Sequence, residues 1–554
     1  MLRSKISCTF ARRSGEEVHI YINTYKQMKE NLLLGAEAIA LGAIDAGISG
    51  VYAYPGTPST EITEFIQKSK TARERGIRST WAANEKTAYE AALGMSFAGK
   101  RSIVCMKHVG LNVAADPFMN SALTGVRGGL ALVVADDPSM HSSQNEQDSR
   151  VFGKFALLPL IEPSTQQEAY DAVHYALDMS EELELPVIIR ISTRISHSRA
   201  AILPQTIREQ NTLNPDTDKS KWILMPAFAR RRYAHLLSLQ NELVQRSENS
   251  PFNVEQRVQS TQGVIAFGLA YNYVMEVVHA HNLNVSVLKI SQYPLPETQV
   301  KEFCDAHESI IVAEEGYPVY EELLRGFFNN PKIKGRLDGT LPRTGELNPD
   351  HVAQAFGIAP AQTFKVPALT VGRPPELCKG CGHRDLFEAL NTVMKEYENT
   401  QVFADIGCYT LGAQPPFSAI STCVDMGAGV TMAKGAADAG MHPAVGIVGD
   451  STFTHSGITG LLDAVNDNSH VTIIISDNST TAMTGGQNSA GTGKLQQICE
   501  GVGVPPEHIR TFVPIKNKLA ENIQILREEI EYKGVSVVIA QRECVQVAIR
   551  NRKK

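Results

Sequence analysis

The chain has no uninterrupted apolar run of membrane length, so nothing in it reads as a bilayer span. It has no excess of positive charge. Its 53 Lys and Arg stand against 59 Asp and Glu, a formal net charge of −6, which argues against nucleic acid as the main partner. It has no disulfide framework either: nine cysteines, an odd number, are spread over 554 residues. That usage suits a reducing, cytoplasmic compartment in which some thiols are free for metal. No tandem short repeat is visible. What is present is a globular composition, 43% hydrophobic and 20% charged. The length is enough for roughly three or four domains.

Residues 1–27 are basic at first and weakly patterned, with the Arg and Ser content of a presequence. The expectation is a disordered tail or the product of an upstream start codon, with the ordered protein beginning at Met28. Residues 28–200 alternate helical stretches with short apolar strands such as "RSIVCMK", "GLALVVADDP" and "PVIIRIST". Residues 201–260 turn polar and Arg-rich and read as a linker. Strands return over 261–365, and a Pro-rich joint, "LTVGRPPELC", leads into a last block, 366–554. The pattern predicts an α/β protein with several doubly wound, mostly parallel sheets.

The last block carries the clearest chemistry. Residues 449–478 read "GDSTFTHSGITGLLDAVNDNSHVTIIISDN". An apolar run ends at Asp450, a helical period follows, and a β-branched run ends at Asn478: a βαβ unit. Such a unit brings both strand ends to the carboxyl edge of a parallel sheet, where open α/β sheets bind ligands. A carboxylate and an amide oxygen there make a hard site suited to Mg²⁺ that shares its shell with phosphate. The plainer alternative is that both are turn residues at strand ends. Glu85, in "WAANEKTAYEAALGMSFAG", opens a helix full of small residues; taken alone, it reads as a helix-start acid favoured by the dipole. Cys378 and Cys381 form a C-x-x-C, with His383 and Arg384 behind them at a helix start.

Together, Glu85 and the "GDS…DN" stretch resemble the thiamine-diphosphate enzymes. The resemblance makes Glu85 the acid that hydrogen-bonds the aminopyrimidine ring. It makes Asp450, Asn478 and the Thr480 carbonyl the Mg²⁺ ligands, with Gly449 and Ser451 also at the cofactor. "YPGTPSTEI" is similar to a loop of the 2-oxoacid:ferredoxin oxidoreductases whose Thr, here Thr57, lies beside cofactor and substrate. Longer stretches, among them "MKHVGLNVAADP", "ADDPSMHSSQNEQDSR", "CKGCGHR", "ADIGCYTLG" and "SDNSTTAMTGGQ", resemble the indolepyruvate:ferredoxin oxidoreductase α-subunit family from about Met28 to Cys544. That likeness implies a pyrimidine-binding domain over 28–200, a transketolase carboxy-terminal-like domain over 261–365 and a diphosphate-binding domain over 366–554.

The wider family holds a 4Fe–4S cluster with a C-x-x-C, a later Cys and a last Cys, here Cys378, Cys381, Cys408 and Cys544. Zinc takes the same ligands, buried free thiols would leave them idle, and Cys423 rivals for the fourth place. Cys8, Cys105, Cys304 and Cys499 have no partner by spacing and read as packing or surface thiols. His108, His141 and His455 are candidate pocket groups or merely structural. Two departures stand out. Longer family members continue into a ferredoxin-like tail, whereas here "CVQVAIRNRKK" ends the sequence, and Gly486 and Asn488 replace bulkier, His-containing sequence. The resemblance implies oxidative decarboxylation of an aryl 2-oxo acid to its acyl-CoA, with coenzyme A as co-substrate and ferredoxin as electron acceptor. It also implies a homodimer or a heterotetramer with a small β subunit. A non-oxidative decarboxylase or carboligase is the alternative, and a catalytically silent scaffold a third.

Overall fold

The computed structural model describes residues 32–216, 221–360, 367–372 and 375–552. The basic stretch 1–27, Cys8 and the boundary expected at 365/366 lie outside the described residues. The chain divides into two compact units, one from Met1–Trp81 and Glu85–Thr363, the other from Ala82–Asn84 and Phe364–Lys554.

The first unit holds two larger sheets. In the seven-stranded sheet the order is Gln292–Tyr293, Leu160–Ile161, Val187–Ser192, Leu130–Asp136, Ser102–Lys107, Gly50–Ala53, Arg78–Trp81. Every pairing is parallel except that of Gln292–Tyr293. Leu130–Asp136, "LALVVAD", is buried at every residue, as a central parallel strand covered on both faces must be. The five-stranded sheet runs Ile333–Lys334, Ser309–Ala313, Gln262–Phe267, Ser286–Ile290, Val254–Gln256, with only the last strand antiparallel. The stretch read as a linker holds the helices Pro226–Ser238 and Gln240–Glu248 as well as that last strand.

Gln292–Tyr293 leaves the second sheet's segment to pair with the first, and the seam around it is charged. Arg150, fully buried, donates to Asp148 and, at 2.8 Å, to Glu314. Arg190 donates to Asp136 at 2.7 Å and to Glu162, which also accepts from the Tyr293 hydroxyl at 2.7 Å. Phe267, Tyr293 and Tyr320 stack beside them. Charges this deep are tolerated because each of these carboxylates meets a guanidinium, Asp148 in a two-pronged contact.

The second unit is one parallel sheet in the order Val402–Ala404, Ala444–Gly449, Val471–Asp477, Val535–Gln541, Ile509–Phe512. Helices Gly382–Met394 and Leu519–Glu531 build the apolar core on one face. Ala428–Asp438, Ile458–Asn466 and Leu495–Gly501 build it on the other. This is the doubly wound arrangement expected, and the "GDS…DN" stretch is a βαβ unit on adjacent strands, with Gly449 in register with Ser476. Among the described residues no helix is long and apolar enough to cross a membrane.

Candidate functional site

In the first unit three neighbouring strand ends carry polar groups. Arg78–Trp81 leads to Glu85, which opens the helix Glu85–Phe97 and is 5% exposed. Its carboxylate lies against Gly110: a methyl group there would sit 2.4 Å from Oε1, so only glycine lets the helix His108–Val113 approach. Gly50–Ala53 leads to Thr57, half-buried in a loop closed by Ser59, whose hydroxyl donates to the Gly56 carbonyl at 2.7 Å. Ser102–Lys107 ends on Lys107 and His108, and Gly56 passes against the Lys107 side chain.

Lys107 was not among the sequence candidates. It is a buried cation whose Nζ donates to Ser142 O at 2.7 Å and lies 3.8 Å from Asp137. Burial pulls its pKa down to about 8. The signal was there, a lysine closing an apolar strand beside the "YPGTPS" loop. His108 is buried, with Nε2 3.3 Å from Asn145 O and Nδ1 without a partner. His141 instead sits at the surface and pairs with Glu346 at 3.1 Å, apart from the buried strand ends.

In the second unit the sheet order sets Cys408, Asp450, Asn478 and Cys544 behind four successive strands: Val402–Ala404, Ala444–Gly449, Val471–Asp477 and Val535–Gln541. Asp450 is buried, and its Oδ2 has no hydrogen-bond partner. Burial, with Asp477 alongside, pushes its pKa up to about 7. A buried, underpartnered carboxylate of this kind fits a divalent cation. Asn478 follows directly, and its Oδ1 accepts from Thr480 N at 3.1 Å. Between them Ser479 takes a positive φ of 61°, which turns the backbone sharply at this point. Ser451 is 2.9 Å from the Thr481 hydroxyl, and a side chain at Gly449 would strike the Tyr409 ring. His455 is buried in the turn Phe453–Gly457, with Nδ1 2.7 Å from Ser456 Oγ.

Cys378, Cys381, Cys408 and Cys544 line one cavity, together with Asp477, Asn478, Arg542 and Gln546. The last strand therefore does return beside the early C-x-x-C. Cys544 N donates to the Asn478 carbonyl at 3.2 Å, so a thiol segment and a candidate metal ligand are joined directly. Burial pushes the Cys408 thiol up to about 12, with the other three sulfurs and Asp450 adding to it. Cys423 is exposed and lines no part of this cavity; Cys105 and Cys499 are buried, and Cys304 is partly so. Among the described residues no three His, Cys, Asp or Glu side chains surround a point that a single ion could occupy. A four-iron cluster takes one thiolate per iron, so ligands spread around a cavity fit it. Gly485 and Gly486 both have positive φ in the turn between the short strands Thr480–Thr481 and Gln487–Asn488. Arg550 donates to Gly485 O at 2.7 Å and ties that turn to the last helix.

Comparison with known proteins agrees with both units. Residues 405–539 match the family described as thiamine pyrophosphate enzyme, C-terminal TPP binding domain. Residues 41–223 match the family described as pyruvate flavodoxin/ferredoxin oxidoreductase, thiamine diphosphate-binding. The fold is that of a thiamine diphosphate-binding enzyme. Along almost its full length the chain is similar to indolepyruvate oxidoreductase subunit IorA of Archaeoglobus fulgidus, with 38% identity over 94% of this chain and 88% of that protein. The subunits of the same name from Pyrococcus horikoshii and Methanothermobacter thermautotrophicus are each 37% identical, over 93% and 94% of this chain and 85% and 88% of theirs. The chain belongs to the IorA family of indolepyruvate oxidoreductase subunits.

Proposed function

We propose that the chain is the thiamine-diphosphate-binding subunit of an enzyme that oxidatively decarboxylates an aryl 2-oxo acid of the indolepyruvate type to its acyl-CoA and passes the electrons to ferredoxin. The observation that carries the redox part is the cavity in which four cysteines and Asn478 share one sheet edge. Bound thiamine diphosphate supplies the nucleophile that adds to the keto carbon and the sink that holds the electron pair as CO₂ leaves. In this reading the buried Glu85 holds a proton at the aminopyrimidine ring nitrogen, where it is screened from water. Thr57 orients the substrate. Asp450, Asn478 and the Thr480 carbonyl hold Mg²⁺ on the diphosphate, with Gly449 and Ser451 lining its place. Cys378, Cys381, Cys408 and Cys544 hold a 4Fe–4S cluster, which supplies one-electron acceptance. The domain limits expected from the sequence, a small second subunit, a homodimeric or heterotetrameric assembly and a cytoplasmic location complete the reading.

The test is anaerobic purification with the neighbouring subunit, metal analysis, and assay with a panel of 2-oxo acids, coenzyme A and a viologen dye. Iron, a brown colour bleached by oxygen, and viologen reduction that needs coenzyme A are expected. Cys381→Ser should remove viologen reduction and leave cofactor binding intact. Protein that holds zinc or no metal at these thiols and still turns the 2-oxo acid over at full rate would replace this reading with the non-oxidative decarboxylase or carboligase.

A further inference from the structure

Beside the four thiols, two further side chains at the cavity are each aimed at a sulfur. His383 places Nδ1 3.2 Å from Cys381 Sγ, and its ring is 4% exposed. Its other nitrogen, Nε2, is buried without a partner. The rings of Phe387 and Tyr409 stand beside it, at centroid distances of 6.4 and 6.1 Å. On the far side, Gln546 donates from Nε2 to Cys378 Sγ at 3.4 Å. It sits two residues past Cys544, on the helix Val545–Arg552, so this hydrogen bond joins the end of the chain to the C-x-x-C.

Resting on the cluster reading above, we infer that His383 and Gln546 set the reduction potential of the iron–sulfur cluster by donating hydrogen bonds to two of its thiolates. A thiolate has no proton to offer, so both nitrogens must be the donors. For a neutral imidazole this fixes the single ring hydrogen on Nδ1 and leaves the Nε2 lone pair among hydrocarbon. One electron entering the cluster adds one negative charge, part of it on the sulfurs. Hydrogen bonds to those sulfurs are therefore stronger in the reduced state, and they raise the potential. The buried His383 acts in a lower dielectric than the exposed Gln546 and has the larger effect. Both are positioning residues: they act through the ligands.

The experiment is a dithionite titration of the anaerobic full-length protein with its partner subunit, followed by electron paramagnetic resonance, after iron analysis of every sample. Gln546→Leu and His383→Leu should both shift the midpoint to more negative potential, the second further than the first. His383→Asn, whose amide nitrogen takes the place of Nδ1, should stay close to wild type. Unchanged midpoints in both leucine variants at wild-type iron content would overturn the inference. So would a His383→Asn midpoint as low as that of His383→Leu, since packing would then be the cause. If His383→Leu loses its iron, Gln546→Leu decides alone, because an exposed glutamine has no core to disturb. Wild-type protein without iron would instead overturn the cluster reading, and iron analysis shows this before any titration.

Discussion

Both units bury carboxylates, and two of these, Asp148 and Asp450, are treated in opposite ways. At the seam of the first unit burial alone would raise Asp148, but Arg150 and Arg190 hold it down to about 2. At the strand ends of the second, burial raises Asp450 to about 7, and another acid, Asp477, adds to the rise. Asp405, one strand away, is also raised to about 7 by burial, although it accepts from Tyr409 and from Gly427 N. The seam sets guanidinium groups against its carboxylates, although burial still raises Glu314 and Glu315 to about 7. At the sheet edge Asp450 Oδ2 is left without a partner, a place a cation would fill. A buried carboxylate held by a guanidinium is architecture; one that faces another acid is a candidate binding site.

The largest effect is expected where the imbalance is greatest. Asp450→Ala should abolish binding of thiamine diphosphate with Mg²⁺, a loss of about a hundredfold or more in affinity by calorimetry. Stoichiometric binding by that variant would erase the contrast. Next is the seam: Arg150→Met takes one guanidinium from buried Asp148 and Glu314, leaving Asp148 only Arg190 at 3.7 Å, and should destabilise the first unit by about 3–5 kcal/mol in denaturant unfolding. A loss under about 1 kcal/mol would mean that the seam carries no more than a surface ion pair. Glu85→Gln keeps a hydrogen-bonding amide but no titrating proton. Cofactor binding should persist, while thiazolium proton exchange followed by NMR slows about a hundredfold.

The smallest effect sharpens the comparison from inside the seam. Glu315, beside Glu346, has one buried oxygen without a partner and is raised to about 7 by burial. Between its unfolded value near 4.5 and about 7 the folded chain therefore binds more protons than the unfolded one. The stability contribution is full below the lower value and is lost as pH rises through the higher one. Glu315→Gln should remove this dependence and leave the variant more stable than wild type at pH 8 by no more than about 3 kcal/mol. Parallel melting curves for the two proteins from pH 5 to 8 would show that Glu315 is ionised throughout.

The parts legible in the sequence share a property: their signal is local. "GLALVVADDP" and "HVTIIISDN" announce buried parallel strands, and Asp450 and Asn478 are legible because each closes such a run. The seam was not legible. Arg190 lies in "PVIIRIST" and read as a plain strand, while its partners Asp136 and Glu162 lie 54 and 28 residues away. The helices Pro226–Ser238 and Gln240–Glu248 read as linker because they bury little, Leu236 in one and Leu243 and Ser247 in the other, so neither shows an apolar stripe. The contacts of Gln546 and His383 with sulfur have no period at all; they depend on where the last strand returns.

That return gives the sheet a second role, as a ruler. Parallel strands lie about 4.8 Å apart, so groups carried on the ends of strands two places apart are set about 10 Å from one another by the hydrogen-bond ladder itself. Ala444–Gly449 ends at Asp450 and Val535–Gln541 leads to Cys544, with only Val471–Asp477 between them. Side chains along these strands can change, but the spacing between the carboxylate and the last thiol is fixed by backbone. Whatever the two groups hold is kept apart by a distance written into the order of the strands.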